Sequence, residues 1–462
     1  MNRRVLLVNP WIQDFAAYDY WMKPLGLLYL ASLLRENGLE VSLIDCLDGN
    51  NPEARNYDKD NRPLPRRKPG GHGKLLRERI TTPPPLRGIP KPFHRYGITP
   101  EVFRQLLQTI ERPRAILIGS MMTYWYPGVF EAIRLLKECY PEVPVLLGGV
   151  YATLCREHAV AKSGADFVLT SAAVNHIEFI VKEIMNVPLS FLPLSHDPDA
   201  LPYPAMDLLV NPDQLPLLTS RGCPYRCPYC ASRILHGDFR SRSPRRVAEE
   251  IFFWIRTMGI NNFSFYDDAL LVRPEELAIP LLEEIIQRNP AVSFHCPNGL
   301  HLREITPRIA SLLFRSGFRT LRFGLETADV RRQRELGGKV DNDQFEQAVA
   351  YLREAGYAAG DIAVYLLCGL PDQSALEIRE SILYVLSRGA RPILAEYSPI
   401  PGTALWDEAR RTSPYPLESE PLFHNNSLLP CAHSTLTHAA CHDLKKLSRR
   451  TIEGDVTQFI ES

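Results

Sequence analysis

Three cysteines lie within eight positions of one another in the stretch SRGCPYRCPYCAS, residues 220–232. Cys223, Cys227 and Cys230 have the spacing CxxxCxxC, and no second CxxC pair accompanies them. Structural zinc sites need four ligands and are usually built from two separated pairs. A cubic four-iron cluster has four metal corners, so three thiolates leave one iron without a protein ligand. The spacing therefore favours a cluster with one open corner at which a further molecule can bind.

Two other interpretations of these thiols stay open. A zinc knuckle could be completed by His236 or by a histidine of the tail, which carries His424, Cys431, His433, His438, Cys441 and His442 in no recognisable ligand pattern. Alternatively, two of the three thiols could form a disulfide. Ten cysteines without an export signal predict a cytoplasmic protein with reduced thiols, where clustered cysteines bind metals or do redox work.

The elements around the cysteines predict a parallel barrel. From residue 217 six strand-like runs alternate with amphipathic helical patterns, and this regularity indicates a partial (β/α)6 barrel of the TIM type over residues 217–403. The predicted strands lie in LLTSRG, NNFSFYDD, VSFHCPN, TLRFGLET, AAGDIAVYLLCGLP and RPILAEYSPIPGT. In such a barrel the chemistry gathers where the strands end.

A second α/β series precedes the barrel. Residues 1–186 alternate short buried strands with helices and predict a Rossmann-like, doubly wound parallel sheet. The five predicted strands are VLLVN (5–9), VSLID (41–45), AILIG (115–119), VPVLLGG (143–149) and ADFVL (165–169). The proline-rich residues 187–216 predict a linker, and residues 404–462 predict a tail that is helical at its end.

The overall charge excludes an evident nucleic-acid or anionic-membrane surface. Lys plus Arg equals Asp plus Glu at 53 each, and no apolar run approaches the roughly 18 residues of a membrane span. Residues 51–100 break the balance with twelve basic residues against four acidic ones and ten prolines. We interpret them as a solvated insertion, with attraction of a phosphate-bearing ligand as the alternative.

The sequence GCPYRCPYC resembles the signature of the radical S-adenosylmethionine (radical SAM) enzymes, and the chain is similar to the subgroup with an N-terminal cobalamin-binding-like domain. The resemblance implies that Cys223, Cys227 and Cys230 hold a 4Fe-4S cluster whose open iron binds SAM. Electron transfer then cleaves SAM to methionine and a 5'-deoxyadenosyl radical. Tyr229 matches the aromatic position that packs near the adenine.

The resemblance also assigns the polar residues that follow the barrel strands. Asp267 and Asp268 stand where the family binds the SAM amino group, and Glu326 follows the strand that often contacts the ribose or carboxylate. Asn298 ends the strand between them. Two structural alternatives remain: Asp268 as a helix N-cap, and Arg322 as a partner of a purely structural Glu326.

Glycines and prolines give weaker assignments. Gly369 and Pro401 resemble positions that bring the backbone close to the adenine and methionine. Gly148 and Gly149, with MMTYWYPG (121–128), could line a flat corrin ring. The cobalt-ligating DxHxxG signature is missing, and after the fifth strand the chain reads TSAAVNHIEF where the family has a Gly-Glu-rich turn.

These features predict a cobalamin-dependent radical SAM C-methyltransferase that acts on an unactivated carbon of a small molecule or peptide. A reductant such as flavodoxin or ferredoxin would supply the electron. One alternative is cobalamin-independent radical chemistry, namely cyclisation, rearrangement or sulfur insertion. The other is a protein that binds a structural metal and has no catalytic activity.

Overall fold

The computed structural model of the protein describes residues 2–57, 63–65, 67–68, 70–170, 173–193, 197–288 and 291–449. These residues form two compact units. The first unit contains the described part of residues 1–215 together with Glu420–Phe423, and the second contains the described part of residues 216–419 and 424–462.

The first unit is built on a five-stranded parallel sheet with the order β3-β1-β6-β7-β8. Strands β1, β6 and β7 are buried along their length, which explains their Val, Leu and Ile runs. All five predicted strands are present. The strand β3 lies on one side of β1, and β6, β7 and β8 follow on the other side, which confirms the predicted doubly wound topology. The strands of this unit are β1 (Arg4–Asn9), β2 (Ile12–Asp14), β3 (Glu40–Asp45), β4 (Arg77–Arg79), β5 (His94–Tyr96), β6 (Ala115–Ile118), β7 (Val145–Leu147) and β8 (Phe167–Val168).

Helices connect these strands. They are α1 (Leu25–Glu36), α2 (Pro52–Tyr57), α3 (Pro100–Thr109), α4 (Tyr126–Cys139), α5 (Val150–Leu154), α6 (Arg156–Lys162) and α7 (Ile177–Phe179), the last of which continues into a π-helical turn, Ile180–Ile184. Part of the predicted linker packs on α1. The Ala205 N–H donates to the Leu28 carbonyl oxygen, the Ser32 hydroxyl donates to the Tyr203 carbonyl oxygen, and Arg35 pairs with Asp207.

The described part of the basic insertion, predicted as a solvated insertion, contains two short strands, and arginines such as Arg77 and Arg79 are exposed on it. Strands β4 and β5 form a small antiparallel sheet with β2. Apolar side chains between the basic residues explain the folding, because Leu86, Phe93 and Tyr96 are all buried. Within this segment, residues 58–62, 66 and 69 lie outside the described residues.

The second unit is a partial barrel of six strands in sequential order, β9-β12-β13-β14-β15-β16, as predicted. The successive pairs from β12 to β16 are parallel, and β9 and β16 are the two edges. The strands are β9 (Leu215–Leu217), β10 (Ser220–Arg221), β11 (Arg240–Ser241), β12 (Asn262–Phe265), β13 (Ser293–His295), β14 (Phe318–Glu326), β15 (Ile362–Cys368) and β16 (Arg391–Glu396).

Helices pack between the barrel strands with ordinary end signals. Ser243, Thr306 and Ser374 accept hydrogen bonds from the first-turn N–H groups of α9, α11 and α14, and Gly259 and Gly317 end α9 and α11 in the left-handed conformation. The helices are α8 (Ser232–His236), α9 (Pro244–Met258), α10 (Ala278–Arg288), α11 (Pro307–Ser316), α12 (Val330–Glu335), α13 (Asn342–Glu354), α14 (Ala375–Ser387), α15 (Trp406–Thr412) and α16 (His438–Ser448). Among the described residues no helix has the length and apolarity needed to cross a membrane.

Candidate active site

The three cysteines lie on a loop closed at its base by a short hairpin. Strand β10 pairs antiparallel with β11, and the loop with α8 runs between them. Gly222 starts the loop with φ of +75°, and a Cβ there would lie 2.9 Å from the Gly237 carbonyl oxygen. Only glycine fits this close crossing, so Gly222 fixes the position from which the loop leaves the barrel.

The three thiols differ in their exposure to solvent. Cys223 and Cys227 are partly buried and Cys230 is exposed. Burial raises the pKa of the Cys223 thiol to about 11, so binding of a metal, which requires the thiolate, would displace a proton. Within the described chain, no three His, Cys, Asp or Glu side chains are arranged as ligands of one metal ion.

Asp267 holds the segment that precedes the cysteine loop. Its buried carboxylate accepts hydrogen bonds from the backbone N–H and hydroxyl groups of both Thr219 and Ser220, at 2.6 to 3.1 Å. Burial raises the pKa of Asp267, and these donors oppose the rise. The described bonds of this carboxylate therefore position β10, and through it the cysteines.

Asp268 is more open and connects to the third cysteine. The Ser232 hydroxyl donates to its Oδ2 at 2.5 Å, and the Ser232 N–H donates to the Cys230 Sγ at 3.4 Å. The Nε2 of His236 lies 3.9 Å from the same carboxylate oxygen. Of the two predicted aspartates, Asp268 thus has the carboxylate that is partly accessible beside the cysteine loop.

Glu326 ends β14 in an unusual conformation and pairs with a lysine that the sequence reasoning missed. Its φ is +71°, a left-handed value that is rare for a residue with a side chain. The Lys339 Nζ lies 2.5 Å from Glu326 Oε1. A Cβ on Gly324 would lie 2.6 Å from both of these atoms. The glycine therefore makes room for the ion pair over the strand.

Lys339 also faces the cysteine loop. Its Nζ is 3.5 Å from the Tyr229 hydroxyl. Burial lowers the pKa of Lys339, but the charges of Glu326 and Cys227 outweigh it and leave the pKa raised. Burial together with Glu326 raises the pKa of Tyr229. The lysine is thus charged while the tyrosine remains a neutral phenol, and the predicted Tyr229 and Glu326 are brought together by this unpredicted cation.

A local signal for Lys339 exists in the sequence. Gly337 and Gly338 precede it with φ of +101° and +58°, so a tight turn follows α12. A Cβ on Gly337 would lie 3.6 Å from the Cys227 Cα. The Gly-Gly-Lys turn indicates a loop tip, but which loop it faces depends on the fold.

His301 is a second residue that the sequence reasoning missed. It is buried, its Nε2 lies 4.0 Å from the Cys223 Sγ, and the Tyr225 ring packs against it at 4.7 Å. Burial, reinforced by Lys339 and Arg303, lowers the pKa of His301 to about 3. A neutral imidazole therefore lies beside the first cysteine.

The other predicted residues of this unit take supporting positions. Asn298 donates from Nδ2 to the carbonyl oxygens of Tyr266 and Asp267, which ties the end of β13 to that of β12. Gly369 follows β15 with φ of +90° and packs near Leu429 of the tail.

The turn that contains Pro401 approaches the cysteine loop. A Cβ on the adjacent Gly402 would lie 3.2 Å from Ile234 Cδ1. The Leu405 N–H donates to the carbonyl oxygen of Pro228 at 2.9 Å. The chain after the sixth barrel strand thus braces the cysteine loop through its backbone.

In the first unit, one of the two predicted glycines has a packing explanation. Gly149 has φ of +100°, and a Cβ there would lie 2.2 Å from the Ser120 carbonyl oxygen. Ser120 in turn donates from its hydroxyl to the Gly148 carbonyl oxygen at 2.7 Å. Met121 and Met122, which follow the carboxyl end of β6, are 41% and 44% exposed. Of the predicted turn after β8, Ser171 and Ala172 lie outside the described residues.

Comparison with known proteins agrees with this architecture. Residues 217–385 match the family described as the radical SAM superfamily. An uncharacterized methyltransferase of Pyrococcus horikoshii is 28% identical over 232 residues, which cover 47% of this chain and 48% of that protein. Cytidylyl-2-hydroxyethylphosphonate methyltransferase of Streptomyces wedmorensis is 21% identical over 88% of this chain and 82% of its own. The chain spans about half or less of the length of several curated relatives, the one from P. horikoshii included.

A solved structure covers nearly the whole chain. The radical SAM methyltransferase TsrM from Kitasatospora setae, with cobalamin and a 4Fe-4S cluster bound, superposes with a TM-score of 0.65 over 97% of this chain and 91% of its own, at 15% identity. At that identity the likeness establishes the fold. The chain therefore carries a radical SAM domain over residues 217–385 and shares its fold with that methyltransferase.

Proposed function

We propose that the protein is a radical SAM enzyme that cleaves SAM reductively and acts as a cobalamin-dependent C-methyltransferase on an unactivated carbon. One observation carries the proposal: the three cysteines of the matched domain lie on one short loop, beside a buried Lys339–Glu326 pair. A 4Fe-4S cluster, when bound, supplies the electron that cleaves SAM. The residues around the cysteines bind, orient and shield the reactants.

The cysteine loop fits such a cluster by its donor set. Cys223, Cys227 and Cys230 supply three thiolates, and the neutral His301 and the cation Lys339 flank them. A cation near thiolates favours their ionised form, which is the form that binds iron. Asp267 contributes indirectly by holding β10 in place.

We assign the binding of SAM to charged groups on both sides of the loop. The partly accessible carboxylate of Asp268 would accept hydrogen bonds from the SAM amino group. Lys339 would pair with the SAM carboxylate, and Glu326 would accept from the ribose hydroxyls. Tyr229 would pack near the adenine. The ion pair keeps Lys339 and Glu326 compensated until the cosubstrate arrives.

The cluster is tested by iron analysis of protein reconstituted without oxygen. We expect about four irons per chain and formation of 5'-deoxyadenosine from SAM with a strong reductant. Cys227→Ala should abolish 5'-deoxyadenosine formation, whereas Cys139→Ala, at an exposed cysteine of the first unit, should leave it unchanged. Zinc without iron would instead support a structural metal-binding protein.

Support for cobalamin comes from the fold and from the exposed apolar edge at Met121 and Met122. Bound cobalamin would carry the methyl group that is transferred. The test is corrin absorbance of the purified protein or of protein reconstituted with hydroxocobalamin. Retention of the corrin through gel filtration is expected, and its absence after reconstitution would end the cobalamin-dependent proposal.

A second candidate is radical chemistry without cobalamin. It is favoured by Gly149, whose missing side chain is already explained by Ser120, and by the TSAAVN sequence after β8. A protein that makes 5'-deoxyadenosine but never binds the corrin would support this candidate. A small-molecule or peptide substrate, a flavodoxin or ferredoxin reductant and a cytoplasmic location remain parts of the proposal.

A further inference from the structure

Arg322 is a buried guanidinium without a counter-charge among the described residues. The side chain is on β14 and only 8% exposed, and its Nε has no hydrogen-bond partner. The expected structural partner, Glu326, pairs with Lys339 instead, so the sequence-based alternative of an Arg322–Glu326 pair is wrong. Arg332 shows the usual arrangement, because this buried arginine is held by both carboxylate oxygens of Glu377, at 2.9 and 3.1 Å.

Such an arginine is costly for the folded protein. Burial of a charge without a partner costs several kcal/mol, and replacement by an apolar side chain of similar size is often neutral or stabilising. Groups that destabilise the free protein are retained where a ligand later compensates them. The unpaired guanidinium therefore points to a ligand that carries the missing negative charge.

The strand geometry shows which side Arg322 faces. Side chains on a strand alternate, so Thr320, Arg322 and Gly324 share one face of β14. At one end of this row the Thr320 hydroxyl contacts His295 at 3.0 Å, and at the other the missing side chain of Gly324 faces the Lys339–Glu326 pair. The opposite face carries the buried apolar residues Leu321 and Phe323. Arg322 thus lies on the polar face of the strand that leads to the proposed SAM position.

Arg322 lies further from the carboxyl end of β14 than the residues proposed to contact SAM. Arg322 precedes Gly324 by two residues, which places its backbone about 7 Å further from the strand end. In the proposed function, Lys339 is the cation for the SAM carboxylate at that end. The guanidinium is therefore a second cationic position, deeper in the barrel than the first.

We propose that Arg322 binds an oxyanion group of the substrate, a carboxylate, phosphate or phosphonate. The planar guanidinium presents paired donors that match two oxygens of such a group, and a lysine cannot reproduce this. The assignment rests on the proposed radical SAM function and names the class of substrate: an anionic molecule that enters the barrel with its charged group inward.

The test measures the thermal midpoint of anaerobically reconstituted protein against increasing phosphate, methylphosphonate or acetate, with chloride holding ionic strength constant. Wild type should be stabilised by at least one oxyanion, because a ligand of the native state raises the midpoint. The anion that acts distinguishes a carboxylate from a phosphate or phosphonate site. Arg322→Met should have a higher midpoint than wild type without anion and no anion-dependent rise.

Two variants sharpen the result. Arg319→Met removes an exposed arginine of the same strand and should behave as wild type. Arg322→Lys keeps the charge and should bind the effective anion at least tenfold more weakly. The assignment is overturned by a wild type that responds to none of the three anions, or by an Arg322→Met variant that responds as wild type does. A lower midpoint of Arg322→Met without anion would also overturn it.

The outcome is independent of the cluster assignment. SAM should bind Arg322→Met with the same dissociation constant as wild type, since its proposed contacts are elsewhere. A protein that fails to bind iron would refute the radical SAM function, while the anion response would still decide the role of Arg322.

Discussion

The two units present the same kind of edge, the carboxyl ends of parallel strands, but use it differently. In the second unit the edge carries three thiols and a buried lysine, with an uncompensated arginine below it. In the first unit the polar groups at the strand ends bind one another: Asn9 donates to Asp45 at 2.7 Å, and Ser120 binds Gly148. The buried arginine without a counter-charge among the described residues thus belongs to the barrel.

Because of this difference, the proposals for the barrel and for the first unit have different kinds of support. The cluster and SAM proposals rest on named side chains of this chain: the three thiols, the partly accessible Asp268 and the Lys339–Glu326 pair. The cobalamin proposal rests on the architecture and on an apolar edge. A change at the barrel edge should therefore alter ligand binding, whereas a change at the first edge should alter stability.

The largest effect is expected at the buried ion pair. Lys339→Met leaves Glu326 buried without its cation and should weaken SAM binding about 100-fold, because hydrogen bonds between charged groups contribute about 2–3 kcal/mol. Equilibrium dialysis with SAM measures this. Lys182→Met, at an exposed lysine of the first unit, is the control. Unchanged SAM affinity in Lys339→Met would remove the lysine from the site.

A large stability effect without a binding effect is expected at Gly149. Gly149→Ala forces a Cβ into the Ser120 carbonyl at φ of +100° and should cost about 2 kcal/mol of unfolding free energy. Gly148→Ala is a matched control, since its nearest neighbour would be 3.8 Å away. Urea unfolding compares the two, with iron content expected at wild-type level in both. Equal stability of both variants would contradict the packing explanation.

An intermediate effect is expected at Asp267. Asp267→Asn keeps the size of the side chain but turns an amide NH2 toward donors of Thr219 and Ser220. The mismatch should cost about 1–3 kcal/mol and lower the iron bound on reconstitution. Asp343→Asn, on an exposed face of α13, should do neither. Full iron binding by Asp267→Asn would show that β10 needs no such anchor.

The smallest effect is a pH dependence in the first unit. Burial raises the pKa of Asp45 to about 6, above its unfolded value near 4. The folded state therefore holds this proton more tightly, and ionisation destabilises it progressively as pH rises from about 4 to 6. Relative to wild type, Asp45→Asn should gain about 1–2 kcal/mol of unfolding free energy across that window and keep the gain at higher pH. The pKa difference alone corresponds to about 2.7 kcal/mol, and the partial exposure of the side chain reduces this value. Urea unfolding at several pH values checks this, with Glu142→Gln as an exposed control that shows no such gain.

Much of this architecture could be predicted because it depends on local patterns. Short Val, Leu and Ile runs predicted the strands of both sheets, and the cysteine spacing indicated the loop at the barrel edge. Lys339 could not be placed, since only the fold brings the turn after α12 against Cys227. His301 likewise reaches Cys223 across 78 residues of sequence.

The features that the sequence did not predict have a physical reason as well. The basic insertion has loop-like composition, but a few of its apolar residues, Phe93 and Tyr96 among them, are buried, and β5 pairs with β2. Gly149 is predicted to line a corrin ring, and the structure adds that its missing side chain makes room for the Ser120 backbone. A glycine in a sequence indicates a close approach without saying what approaches.

The central claim is that three cysteines leave one iron open to SAM. Electron–nuclear double resonance on the reduced, reconstituted protein tests it directly, with SAM labelled with nitrogen-15 at its amino group. The account predicts a nitrogen-15 coupling to the cluster that disappears with unlabelled SAM. A cluster whose signal is unchanged by SAM, with no such coupling, would contradict it.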